Sequence, residues 1–149
     1  MISLAHAAAI TKAKLDTLQP EFRKKAQDWF EACVQAGLAP YIYEGFRSMQ
    51  RQAELYLKGR GAPGKIVTNA EPGQSFHNYG LAFDWVPLKR VEKAEGMYEA
   101  DWGNEAAYAL GNSIGEKLGM RQLSWERPHL EDARFNNWRE LKVSFPSKS

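Results

Sequence analysis

Helical and extended segments alternate along this chain, and that order predicts an α+β fold: a small antiparallel sheet with helices packed on one side, in a single domain over residues 1–149. Three observations carry the prediction. Apolar residues recur at helical spacing near 21–34 and 104–117, while "YIYEGF" and "YGLAFDWV" are short, aromatic-rich and bounded by turn formers. A chain of 149 residues with 44% hydrophobic content is also enough for one packed core.

The opening stretch, "MISLAHAAAITKAK", carries a short apolar run broken by His6 with no basic segment before it. It reads as a mature N-terminus and not as a signal peptide, with His6 an ordinary structural residue. From Glu21, the residues Phe22, Ala26, Trp29, Phe30, Cys33 and Val34 mark one side of a helix, with Pro20 at its entry and Gly37 past its end. Cys33 on that side is expected to be a buried small hydrophobe; as the only cysteine it forms no internal disulfide, which is compatible with a reducing cytosol.

"YIYEGF" follows as a strand, and Gly45 allows a bend before Arg47. Ser48 caps a second helix, "MQRQAELYLK", which stops at Gly59. The glycine- and proline-rich run over 60–74 is a loop with at most a short extended piece at "KIVT", and loops of that length are often functional. After the strand "YGLAFDWV" comes a third helix over Asn104 to Lys117, with Ala107, Leu110, Ile114 and Leu118 along one side and Gly119 as its stop. A turn, the segment "LSWERPHLED" and a polar tail ending "SFPSKS" complete the chain.

A net charge of +2 is well short of the clustered basic surface of a nucleic-acid binder, so no nucleic-acid partner is expected. No run approaches the ~20 apolar residues that span a bilayer, so no stable membrane insertion is expected.

Two polar pairs break the apolar pattern. In the extended "YGLAFDWV", Asp84 shares a face with Ala82 and Val86, opposite Leu81, Phe83 and Trp85. A carboxylate so placed is costly unless it is paired, hydrogen-bonded or bound to a cation. His77 lies just upstream, where Gly80 permits a sharp backbone turn. In "WERPHLE", Glu126 and His129 stand three apart with Pro128 between them, and the proline biases Arg127 out of the helical region. The pair must therefore meet on extended or turned backbone, unlike the helical HExxH arrangement. Two histidines and an aspartate suit catalytic zinc, leaving a fourth position for water; hydrogen-bonded structural residues are the competing reading of the same three side chains.

The blocks "EGFRSMQRQAELYLKGR", "PGKIVTNAEPGQSFHNYGLAFDWV" and "WERPHLE", in that order, closely resemble the zinc peptidases of bacterial cell walls, which include D-alanyl-D-alanine carboxypeptidases and phage L-alanyl-D-glutamate endolysins. The resemblance runs from about Pro20 to Glu131. Its most specific part is SxHxxGxAxD: Ser75, His77, Gly80, Ala82 and Asp84. It implies one Zn2+ per chain on His77, Asp84 and His129, with Glu126 as the catalytic carboxylate that takes a proton from water and passes it to the leaving amine. Arg47 is implied as the catalytic and substrate-binding arginine beside the metal, and Ser75 as a substrate-binding residue at the groove rim. The chain departs from related endolysins in lacking a "WGG" stretch before the last block, and in having Glu126 where endolysins often have Asp.

The resemblance implies a zinc peptidase cutting the L-alanyl-D-glutamate bond of peptidoglycan stem peptides, as a phage or prophage endolysin. A D-alanyl-D-alanine carboxypeptidase is the alternative, and a non-catalytic zinc module that only grips peptidoglycan a further one. An endolysin is expected to be monomeric and to wait in the host cytoplasm until a holin releases it to act in the periplasm or cell wall. The absence of a recognisable wall-binding domain suits a thin, accessible peptidoglycan layer.

Overall fold

The computed structural model describes residues 1–145; the last four residues of the predicted polar tail lie outside the described part. Its strands are β1 (Ile2–Ser3), β2 (Pro40–Glu44), β3 (Ala82–Arg90), β4 (Met97–Ala100), β5 (Met120–Leu123) and β6 (Glu126–Asp132). Its helices are α1 (Leu4–Leu15), α2 (Pro20–Gln35), α3 (Met49–Leu57), α4 (Glu105–Lys117) and α5 (Trp138–Ser144), with a 3-10 turn over Phe76–Tyr79. All strand pairings are antiparallel, and β3 is the hub: it pairs with β6 through Ala82–Asp84, with β2 through Asp84–Pro87 and with β4 through Leu88–Arg90. The predicted α+β class holds.

Phe83 and Trp85 point from β3 into the helical layer, as the alternation of the strand requires. There Trp29 of α2 lies 4.9 Å from Phe83 and 5.0 Å from Trp85 between ring centroids, and Tyr108 of α4 lies 5.0 Å from Trp85. All four are essentially buried. Cys33 is buried in the same core, and burial pushes its thiol up to about 12, which makes it unreactive.

The face of α4 differs from the predicted one. Leu110 is exposed, and the helix instead buries Ala107, Tyr108, Gly111, Asn112 and Gly115. The reason is close approach: a Cβ at Gly111 would sit 2.4 Å from the Trp85 ring, and the Gly111 carbonyl accepts the Trp29 indole N–H at 2.8 Å. Small residues, not large ones, mark the packed side of this helix.

The N-terminal stretch is also a helix, α1, which sequence patterning does not reveal. Its buried residues, Ala7, Thr11 and Leu15, recur every four positions but are mostly small or polar. Thr11 Oγ1 accepts the backbone N–H of Ile42 at 3.1 Å, so α1 satisfies a donor of β2. The segment read as one strand from Tyr79 divides: Tyr79 closes the 3-10 turn, Gly80 takes a left-handed φ of 69°, and the strand begins at Ala82. Strand β4 and helix α5 carry no clear sequence signal. The run over 60–74 is loop, as expected, apart from an isolated bridge between Lys58 and Ala62. No helix of the described residues is long and apolar enough to cross a membrane.

Candidate metal centre

Three independent backbone devices bring His77, Asp84 and His129 together. Asp84 and His129 are direct cross-strand partners in the β3–β6 register, so their side chains share a face. His77 sits in the 3-10 turn, where the Ser75 hydroxyl accepts the His77 N–H at 3.2 Å and Asn78 completes a capping box. Gly80 then turns the chain into β3 at a point where a Cβ would lie 2.9 Å from the Gln19 nitrogen. The three side chains are buried, each offering one ligand atom, and those atoms lie within 4.8 Å of one another.

Hydrogen bonds fix which atoms face inward. His77 Nδ1 lies 2.8 Å from the Gly45 carbonyl, which can only accept, so Nδ1 carries the proton and the Nε2 lone pair faces Asp84 Oδ1 at 3.2 Å. His129 Nε2 donates to Glu131 Oε1 at 2.8 Å, leaving Nδ1 toward Asp84. That Nδ1 is buried without a hydrogen-bond partner; its nearest acidic atom, Asp84 Oδ1, is 3.4 Å away. An orphaned ring nitrogen converging with a second imidazole nitrogen and a carboxylate oxygen is a donor set that fits a divalent cation of the zinc type.

The electrostatics agree. Burial disfavours the Asp84 carboxylate, yet His77 and His129 outweigh it and hold its pKa well below the usual range. Burial likewise opposes charge on His129, but Asp84 and Glu131 overcome it and raise that pKa to about 9. The surroundings that draw a proton to the His129 ring also draw a cation.

Glu131 is the functional neighbour that sequence reasoning missed. It is buried, accepts from His129 and is gripped by Arg121, whose Nη2 reaches Glu131 Oε2 at 2.6 Å. The available signal was its spacing: two residues from His129 on an extended strand, and so on the same face. Replacing it with glutamine removes the charge that fixes the ring and raises its basicity. Glu131→Gln is therefore expected to weaken metal affinity roughly 10–100-fold in competition with a chelator, without changing the number of metal ions bound at saturation. Unchanged affinity would reduce Glu131 to a packing role.

Glu126, at the start of β6, is half-exposed, with Oε2 3.9 Å from His129 Nδ1. Arg47 also stands at the centre, but not as a free fork. Its Nε and Nη2 donate to both Glu44 oxygens at 2.7 and 2.8 Å, and its Nη1 donates to buried Gln52 at 2.9 Å. One donor on each terminal nitrogen makes no hydrogen bond, and Nη2 stands 3.8 Å from Asp84 Oδ2. Gln52 in turn donates to the Ala70 carbonyl at 2.7 Å, tying the arginine to the long loop. Ser75 lines the cleft as well as capping the His77 turn. This cleft holds about 1100 Å³ and runs past Arg47, His77, Glu126 and His129 between the loop residues Ile66 and Val67 and the exposed Trp125.

A family model described as VanY, D-alanyl-D-alanine carboxypeptidase, matches residues 15–130. The chain belongs to the VanY family. Within that family's reach, it is 34% identical over 125 residues to the peptidoglycan L-alanyl-D-glutamate endopeptidase CwlK of Bacillus subtilis (strain 168), covering 76% of this chain and 72% of CwlK. Its fold is similar to that of the vancomycin-resistance D,D-dipeptidase VanXYg, solved with a D-Ala-D-Ala phosphinate analogue, at a TM-score of 0.58 and 18% identity. It is also similar to the LD-carboxypeptidase LdcB, at a TM-score of 0.57 and 19% identity. Each match covers 85% of this chain but only 55% of VanXYg and 62% of LdcB, so these two inform the fold alone. The expected relationship to the cell-wall peptidases is thus shown over residues 15–130.

Proposed function

We propose that the protein is a zinc peptidase that hydrolyses the L-alanyl-D-glutamate bond of peptidoglycan stem peptides. The observation that carries this reading is the convergence of His77 Nε2, Asp84 Oδ1 and His129 Nδ1 beside the free carboxylate of Glu126, at the wall of a long cleft. The choice of bond is supported by the 34% identity to CwlK.

His77, Asp84 and His129 would hold the ion. A bound Zn2+ supplies a Lewis acid that polarises the scissile carbonyl and makes water nucleophilic at neutral pH. Glu126, exposed to the cleft and outside the ligand set, accepts the proton of the attacking water and delivers it to the leaving amine. Arg47, held rigid by Glu44 and Gln52, directs its remaining N–H donors toward substrate oxygen, and its fixed geometry reduces the ordering cost of binding. Ser75 contributes at the rim while holding the His77 turn. A phage or prophage endolysin, monomeric and freed by a holin to reach the wall, is the biological setting that the sequence resemblance supports.

A second reading, removal of terminal D-alanine, is favoured by the description of the family model. The two are separated by mass analysis of the fragments that zinc-loaded protein releases from purified peptidoglycan. New N-terminal D-glutamate with L-alanine carboxyl ends left on the glycan is the expected result. Free D-alanine instead would move the protein to the carboxypeptidase branch.

A further inference from the structure

Beside the cleft, and outside its lining, stands a stepped aromatic ledge. Tyr41 pairs with Val86 across β2 and β3, and Tyr43 is the extra residue where the register shifts between Ile42 and Glu44. The Tyr41 and Tyr43 ring centroids lie 6.5 Å apart, and Trp102 stands edge-on to Tyr43 at 5.5 Å. Both tyrosines are half-buried, whereas Trp102 leaves 57% of its surface in solvent. An exposed indole supported by a second ring, and not folded into the core, is a surface to be covered.

The ledge is fastened to the candidate centre on two flanks. Tyr43 directly precedes Glu44, which grips Arg47 and is the cross-strand partner of Asp84. On the other flank Arg127, next to Glu126, pairs with Glu105 at the start of α4, three residues beyond Trp102. The ledge thus joins the centre through Glu44 and Arg127, and none of its three rings lines the cleft.

The chemistry of the substrate matches this division, a step that rests on the endopeptidase reading above. On the amine side of an L-alanyl-D-glutamate bond lie several carboxylate-bearing residues, suited to a long cleft walled by Arg47 and Arg51. On the acyl side only one alanine and the short lactyl arm of the sugar separate the scissile carbonyl from the pyranose ring, a reach of about two extended residues, roughly 7 Å. The glycan must therefore lie close beside the centre. A pyranose ring is uncharged and presents a face of C–H groups, which suits an exposed aromatic ring better than a cleft lined by charged side chains of both signs, Arg47, Arg51, Glu44 and Glu126. We propose that Tyr43 and Trp102 form a carbohydrate-stacking site for the peptidoglycan glycan strand on the acyl side of the scissile bond.

The test compares two substrates with the same stem peptide, one carrying its disaccharide and one with a plain N-acetyl group in its place. Trp102→Ala, a change at an exposed position, is expected to lower kcat/KM on the disaccharide substrate roughly three- to tenfold and to leave the sugar-free substrate unchanged. Trp102→Phe should restore most of the loss. Glycan strands stripped of peptide should also shift the Trp102 indole N–H resonance of the zinc-loaded wild-type protein. An equal loss on both substrates, no loss on either, or no shift of that resonance would overturn the glycan site. So would concentration-dependent self-association that Trp102→Ala abolishes, since the ledge would then be covered by a second copy of the chain. If the wild type cuts neither substrate between alanine and glutamate, the bond assignment fails; the resonance shift tests the ledge independently of it.

Discussion

Glu126→Gln is expected to keep a wild-type complement of zinc and to lose hydrolysis by roughly 10²–10⁴-fold, the usual contribution of a positioned general base. The expectation follows from where Glu126 stands. Its carboxylate is half-exposed on the cleft wall and 3.9 Å from His129 Nδ1, close to the ligand atoms without being among the three that converge. Glutamine has nearly the same size and shape but cannot accept the proton, so the change removes proton transfer and little else. Glu126 is the exposed first residue of β6, so the change is expected to leave the fold intact, and circular dichroism checks this directly. Metal per chain by elemental analysis and fragment release from peptidoglycan are the paired readouts. A fully metallated variant that still hydrolyses peptidoglycan at the wild-type rate would remove Glu126 from the role of base.

The parts of the structure that were legible in the sequence are those where local chemistry and tertiary demand coincide. Ser48 as a helix cap, Gly80 as a sharp turn and the alternation about Asp84 each follow from one residue's own preferences, and each is present. The cross-strand meeting of Asp84 with His129 follows from alternation once β3 and β6 pair, but the pairing itself joins residues 45 apart and has no local signature. Helix α1 was illegible because its buried side is made of Ala7, Thr11 and a single large apolar residue, Leu15, so its contrast with the exposed side is small. The packed face of α4 was misread for a related reason: the glycines at 111 and 115 that admit Trp85 and Leu130 look like weak helix positions when the ring they admit is unseen.

At the site, the three side chains that converge were easier to read than what supports them. Histidines and an aspartate stand out in an apolar stretch, whereas Glu131 looks like any acidic residue until its contact with His129 is seen. Arg47 shows the same limit. The resemblance implies a substrate-binding arginine, but Glu44 already takes two of its donors and Gln52 a third. Its contribution is better described as a fixed, partly neutralised donor than as a mobile cation.

His129→Gln should show the other large effect: loss of zinc, and with it of all hydrolysis. Glutamine retains an amide N–H for Glu131 but lacks the imidazole nitrogen that points at Asp84. Alanine is the poorer choice, because it would leave the Glu131 and Asp84 carboxylates facing a void. Removing one partner of a buried ionic contact typically costs about 3–5 kcal/mol, enough to confuse metal loss with unfolding. The measurement is zinc per chain after dialysis against a weak chelator, with thermal unfolding recorded for both metal-loaded and chelator-treated protein. In the wild type, zinc should raise the unfolding temperature, since a ligand that binds only the folded chain stabilises it by mass action. In the variant that difference should vanish while the chelator-treated form still unfolds cooperatively. A variant that keeps one zinc per chain and its zinc-dependent stabilisation would show that His129 is not a ligand. The orphaned Nδ1 would then need another partner, and Glu126, the nearest carboxylate after Asp84, would be the side chain to test next.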